Sequence, residues 1–175
     1  MVWQRYFELI PEKVPLKKCE ELERTAFHES GHAIIGCIYG FTLKMVTIIK
    51  QDDTLGSVEY AQGYEVLDYL YPKEFEKTFW AGFLAEYLFS GNWNEAGASS
   101  DRDSMSQYFY LPEENADVAD KHFEKIFMDV YSLLKTPAVW NMVEIFAKEL
   151  IAKKTLAQED FVRLFPDFKI PSLDL

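Results

Sequence analysis

Two histidines and a glutamate in the stretch His28-Glu29-Ser30-Gly31-His32 have the residue types and the spacing to do chemistry. On a helix, histidines four residues apart lie on one face, about one turn from each other. Two imidazoles so placed can bind one zinc ion at about 2.0–2.1 Å. Glu29 lies roughly 100° around the helix axis, where it can take a proton from an attacking water and later deliver it to a leaving amine. The motif therefore predicts a zinc hydrolase centre.

The alternative interpretation is that two histidines share a partly buried helix face by coincidence. The flanking segments "TAF" and "AIIG" are apolar. Burying two imidazoles and a carboxylate together is costly unless each has a partner. The apolar flanks therefore favour the metal site over the coincidence.

A catalytic zinc usually has three protein ligands and one open position, so the motif leaves the ion one ligand short. The third histidine of the chain, His122, lies in a polar stretch, and a carboxylate is therefore the expected third ligand. Spacing alone leaves the choice open among Glu86, Asp101, Asp103 and Asp68.

Composition and charge limit the fold and the partners. The 175 residues suit one domain, and the net charge of −11 excludes nucleic acid, which needs a basic surface. No apolar run approaches the about 20 residues of a membrane span, and the N-terminus does not have the pattern of a signal peptide. Cys19 and Cys37 are expected as thiols rather than a disulfide. We expect a soluble, cytoplasmic protein that does not insert into a membrane.

Hydrophobic periodicity predicts a mainly α (α+β) fold with a small β-hairpin or sheet beside the helix that carries the motif. Residues 1–175 are expected to form a single domain. Its parts are an N-terminal arm at 1–18, a metal-site half at 19–110 and C-terminal helices at 113–165.

The same patterns, together with proline and glycine residues that end helices and strands, predict the individual elements. The arm is expected to be a docking segment or a short strand. A helix is predicted from residue 19 to about 39, a hairpin from "LKMVTIIK" and "GSVEY", and a long helix from Pro72 to just before Gly91. A short helix is predicted from about Asp101 to Tyr110. Later helices are predicted at 113–135 and 138–153 and in "LAQEDFVRLF".

Five segments of the chain resemble the peptidase domain of the FtsH family of AAA+ zinc metalloproteases, and the resemblance is to a stand-alone domain without the ATPase module. They are "TAFHESGHAIIG", "LKMVTIIKQDDTLGSVEY", "AGFLAEYLFSG", "AGASSDRDSMSQ" and "VYSLLKTPAVWNMVEIFAKELIAKKTLAQEDF". The resemblance covers most of residues 20–165. It implies an FtsH-peptidase-like helical domain with Zn²⁺ as cofactor. It also implies Asp101, at the end of a G-A-S-x-D segment, as the third zinc ligand.

The resemblance places Glu86 on a helix behind the site, where it would orient a zinc ligand. The alternative for Glu86 is an ordinary polar position on an amphipathic helix. The hairpin strands "VTIIK" and "GSVEY" are candidate edges on which a peptide substrate could add as a strand, and the alternative is a hairpin that only covers the core.

The leading hypothesis is an ATP-independent zinc metalloendopeptidase that hydrolyses peptides or unfolded segments with a metal-activated water. His28, His32 and Asp101 would bind zinc, and Glu29 would be the catalytic base and acid. The chain contains no G-x-x-x-x-G-K-[ST] motif, so it is not expected to unfold proteins by itself. Alternatives are a zinc-stabilised, peptidase-derived binding or regulatory module with little turnover and, ranked last, a hydrolase of non-peptide amides. A homo-oligomer and an ATPase partner in trans stay open.

Overall fold

The structure is a computed structural model. It describes residues 4–51, 54–92 and 116–173, and at 116–120 it describes the backbone alone. In chain order the described elements are α1 (Gln4–Glu8), α2 (Glu21–Ile38), β1 (Leu43–Thr47), β2 (Ser57–Tyr60), α3 (Tyr64–Leu70), α4 (Pro72–Ser90), α5 (Ala116–Leu134), α6 (Pro137–Lys153), β3 (Thr155–Ala157) and α7 (Gln158–Leu164). The described part is mainly helical with one small sheet, and none of its helices is long and apolar enough to cross a membrane.

Helices α2 and α4 form the centre of the fold and pack against each other along most of their length. They approach closely because α2 carries Gly31 at the contact. A Cβ atom added to Gly31 would lie 2.3 Å from the backbone oxygen of Ala81 and 2.7 Å from the Cβ of Ala85. Only a residue without a side chain fits between the two helices at this crossing.

The ends of these two helices follow local sequence signals. At the start of α2, the backbone N–H of Glu20 donates to the Glu23 carboxylate at 2.9 Å. Helix α4 begins at Pro72 and ends before Gly91, whose φ of +73° is readily adopted only by glycine. The predicted bounds of both helices are confirmed to within two residues.

The sheet has three antiparallel strands in the order β2-β1-β3. The predicted hairpin of β1 and β2 is confirmed, whereas β3 was not predicted. Strand β3 is three residues long and directly follows Lys154, which ends α6 with a φ of +69°. Because β1 is the central strand, the prediction that "VTIIK" offers an edge is wrong, and only "GSVEY" of the two segments lies at an edge.

The N-terminal arm contains the helix α1, so the prediction of a short strand there is wrong. Tyr6 and Phe7 are buried in the core. The Tyr6 ring lies 5.2 Å from the Trp80 ring, and the Phe7 ring lies 5.2 Å from the Phe127 ring. The arm therefore docks on α4 and α5 through aromatic contacts.

The other predicted helices have different outcomes. The helix at 138–153 is confirmed as α6, and α5 and α7 lie within the other two predicted C-terminal helices. The short helix predicted from Asp101 to Tyr110 lies outside the described residues. Cys19 and Cys37 are both free thiols, as predicted.

Glu76 is a buried carboxylate between α4 and α5, with only 1% of its surface exposed. Its Oε2 lies 2.8 Å from Nε2 of His122, and its Oε1 has no hydrogen-bond partner among the described residues. Burial raises the pKa of Glu76 above its ordinary value of 4.5, and this effect exceeds the lowering by His122 and Lys77. An ionised Glu76 is therefore costly to the folded state.

We expect Glu76→Gln to raise the melting temperature above pH 5. The raised pKa means that the folded state binds more protons than the unfolded state, so the wild type loses stability as pH rises through the window that begins near 4.5. A glutamine keeps an acceptor for His122 without the charge. A gain of about 1 kcal/mol would shift the melting temperature by about 2–4 °C.

Thermal melts from pH 4 to pH 8 test this expectation. The difference between the variant and the wild type should grow with pH. Glu65→Gln, at an exposed position of α3, is the control and should show no such trend. A difference for Glu76→Gln that stays constant across the range would contradict the assignment.

Candidate metal centre

The side chains of His28 and His32 project from α2 toward α4 and meet each other. Both are buried, and their Nε2 atoms lie 3.0 Å apart. Two nitrogen ligands of one tetrahedral zinc ion, each at about 2.0–2.1 Å, lie about 3.3 Å from one another. The separation of the two Nε2 atoms is therefore close to that of two ligands of one ion.

The hydrogen bonds of the two rings determine which nitrogen of each carries the proton. Nδ1 of His32 lies 2.5 Å from the backbone oxygen of Thr78, and Nδ1 of His28 lies 3.3 Å from Oε2 of Glu86. A carbonyl and a carboxylate accept hydrogen bonds, so both Nδ1 atoms are donors and each neutral ring has a lone pair at Nε2. Two lone pairs at this distance repel unless a proton or a metal ion lies between them.

The rings of His28 and His32 pack directly against Gly82 on α4, where a side chain would not fit. A Cβ atom added to Gly82 would lie 2.3 Å from Nε2 of His32 and 2.8 Å from Nε2 of His28. The sequence reasoning missed this residue, although a glycine in the interior of a predicted helix is a signal of close packing or function. Helix α4 thus contributes two hydrogen-bond acceptors to the centre, and at position 82 it has no side chain that would clash with the imidazoles.

Glu29 is also buried, and it lies against the start of the sheet. A Cβ atom added to Gly56, just before β2, would lie 2.6 Å from Oε1 of Glu29. The hydroxyl of Tyr60 on β2 donates to the backbone oxygen of His32 at 2.8 Å. The hairpin was predicted to lie beside this helix, but the sequence did not single out Gly56 or Tyr60 as the residues that contact it.

Tyr60 and Cys37 keep their protons in this environment. Burial, followed by the charges of Tyr64, Cys37 and Glu29, raises the pKa of Tyr60 well above 10. Burial also raises the pKa of Cys37 to about 12. Tyr60 therefore stays a hydrogen-bond donor, and Cys37 stays a thiol rather than a thiolate ligand.

The four carboxylates considered for the third ligand differ in position. Within 4–51, 54–92 and the described side chains of the C-terminal part, no three His, Cys, Asp or Glu side chains converge to hold a metal. Glu86 contacts Nδ1 of His28, on the opposite side of the ring from Nε2. Asp68 lies on α3 and is half-buried. Asp101 and Asp103 lie outside the described residues.

Comparisons with known proteins give one distant similarity. No protein-family model matches the chain. The chain is 27% identical, over an alignment of 192 positions, to the ATP-dependent zinc metalloprotease FtsH of Karelsulcia muelleri (strain DMIN), and the alignment covers 89% of the chain. It covers 30% of that relative, so the chain spans less than a third of the relative's length. The buried His-Glu-x-x-His helix thus belongs to a chain that is similar, at low identity, to a zinc metalloprotease.

Proposed function

We propose that this chain is a zinc-dependent metalloendopeptidase that cleaves peptides and unfolded protein segments without ATP. One observation carries the proposal: the Nε2 atoms of His28 and His32 lie 3.0 Å apart while both Nδ1 atoms lie within hydrogen-bond distance of acceptors on α4. A divalent cation bound by both Nε2 atoms would hold the two rings in this arrangement. The similarity to a zinc metalloprotease supports zinc as that cation.

His28, His32 and Asp101 are the proposed zinc ligands. The contact of Glu86 with Nδ1 of His28 supports a role in orienting that ring rather than in binding the metal, as second partners of histidine ligands commonly do. Bound zinc supplies a Lewis acid that polarises the substrate carbonyl and makes a water nucleophilic near neutral pH.

Glu29 is the proposed general base and acid. It follows His28 directly on α2, is buried, and is packed against Gly56, which limits the positions its carboxylate can take. A carboxylate there can accept the proton of the attacking water and deliver it to the leaving amine.

Metal analysis followed by proteolysis tests the proposal. The purified protein should contain about one zinc per chain and cleave casein, an unstructured protein, in the absence of ATP. A chelator should abolish cleavage, and added zinc should restore it. If zinc is bound but no chelator-sensitive cleavage is found, the binding or regulatory module is the better description.

We expect Gly82→Ala to weaken zinc binding by at least about 10-fold, the lower end of effects seen for groups around metal ligands. The added methyl group would clash with Nε2 of both histidines and displace their rings. Zinc affinity measured by competition with a chromophoric chelator checks this, together with the melting temperature of the zinc-free protein.

Gly31→Ala makes the same chemical change at the other close contact of α2 and α4. Its methyl group would meet the backbone of Ala81 instead of the imidazoles, so it should lower the melting temperature of the zinc-free protein. Wild-type zinc affinity in Gly82→Ala would contradict the position assigned to the metal.

A further inference from the structure

The open edge of the sheet is formed by β2, which among the described residues pairs with β1 alone. The backbone N–H of Ile48 donates to the oxygen of Lys154 on the β3 side, so alternate residues of β1, including Val46, face β3. Val58 is opposite Val46. The N–H and C=O of Val58 therefore point away from β1, toward the open edge.

This edge runs beside the candidate metal centre. Gly56 packs against Glu29 at one end of β2, and Tyr60 donates to the backbone oxygen of His32 at the other end. Val58 lies midway between these two contacts. An extended peptide that adds to β2 would therefore pass next to Glu29 and would use the Val58 carbonyl as a hydrogen-bond acceptor.

The Val58 carbonyl already has a donor within the chain, the hydroxyl of Tyr64. Gly63, with a φ of +78°, reverses the chain after β2 and brings the first residue of α3 back to the edge. The Tyr64 ring is held 5.6 Å from the Phe75 ring and 6.3 Å from the Tyr60 ring, while 44% of the residue is exposed. The ring is thus anchored and its hydroxyl covers one acceptor of the open edge.

We propose that Tyr64 is a specificity-determining residue that competes with the substrate main chain for the Val58 carbonyl. The inference rests on the proposed function, because it takes the β2 edge as the place where the peptide lies. A peptide N–H must displace the Tyr64 hydroxyl to pair at Val58. A peptide residue without an N–H opposite Val58 leaves the hydrogen bond from Tyr64 to Val58 in place. The chain therefore tolerates proline or an N-methylated residue at that peptide position.

Peptide binding tests this without requiring cleavage. The zinc-loaded Glu29→Gln protein, with and without Tyr64→Phe, is titrated into a fluorescein-labelled unstructured casein peptide, and anisotropy is measured. Phenylalanine keeps the ring contacts and removes the competing donor, so the double variant should bind about 2–10-fold more tightly, the range for one hydrogen bond. Single N-methylation along the peptide should remove this gain at one position.

In the otherwise native protein, Tyr64→Phe should lower KM for the same peptide and leave kcat unchanged. Tyr69→Phe, on the same helix with 84% of the residue exposed, is the control and should change neither value. Equal affinities with and without Tyr64→Phe, absence of binding in both, or a gain that survives N-methylation at every position would each overturn the inference. A Tyr64 effect on binding in a protein that cleaves nothing would count against the proposed function alone.

Discussion

Replacing Glu29 with glutamine should leave zinc binding intact and reduce cleavage of casein by about 10²–10⁴-fold, the contribution of a positioned general base. Glutamine has nearly the shape of glutamate, so it can fill the same buried place between α2 and Gly56. It cannot accept a proton from water near neutral pH. Zinc content by elemental analysis and initial rates of cleavage, measured on the same preparation, check the two halves of this expectation.

Glu21→Gln is the matched control, because it makes the same change at an exposed position in the first turn of the same helix. It should alter neither zinc content nor cleavage. If Glu29→Gln cleaves casein at a rate close to that of the wild type, Glu29 is not the base. If the variant instead loses its zinc, the carboxylate helps to hold the metal, and the loss of cleavage says nothing about proton transfer.

Long elements could be predicted from the sequence because they carry their own signals. Helix α2 has a periodic apolar face, α4 begins at a proline and ends before a glycine, and the hairpin strands are rich in β-branched residues. Two short elements, α1 and β3, could not be predicted. Helix α1 and strand β3 have five and three residues, and both are stabilised by contacts with distant parts of the chain.

The candidate site likewise has one part that the sequence predicts and another part that it does not. The spacing of His28, Glu29 and His32 on one helix is a local property, and it was enough to predict that the two imidazoles meet. The groups that hold the rings come from α4, 46 residues from His32 for Thr78 and 58 residues from His28 for Glu86. Their approach depends on how two helices cross, which the sequence pattern does not specify.

The two neighbours of α2 have separate roles in the proposed centre. Helix α4 accepts hydrogen bonds from the Nδ1 atoms of the imidazoles and, at Gly82, lets both rings pack against its backbone. The sheet, through Gly56 and Tyr60, contacts the side of α2 that carries Glu29. Changes on α4 should therefore alter metal affinity first, whereas changes on β2 should alter proton transfer or peptide binding at constant zinc content.

Removing the carboxylate of Asp101 should abolish cleavage and weaken zinc binding by more than about 100-fold. Loss of a group that only supports a ligand typically weakens metal binding by about 10–100-fold. Asp101→Ala takes away one of three proposed protein ligands, and the two imidazoles alone leave the ion with half of the four positions of a tetrahedral site. Asp101 lies outside the described residues, so the prediction rests on the resemblance of 97–101 to G-A-S-x-D. Competition with a chromophoric chelator gives the affinity, and casein cleavage gives the activity.

Asp103→Ala is the matched control, since it makes the same change two residues further along and should leave both measurements unchanged. Loss of zinc from Asp103→Ala with retention in Asp101→Ala would reverse the assignment. Glu86→Gln separates a ligand from an orienting group, because its amide oxygen can still accept from Nδ1 of His28. If Asp101 is a zinc ligand and Glu86 only orients His28, Glu86→Gln should keep near-normal zinc affinity while Asp101→Ala loses most of it.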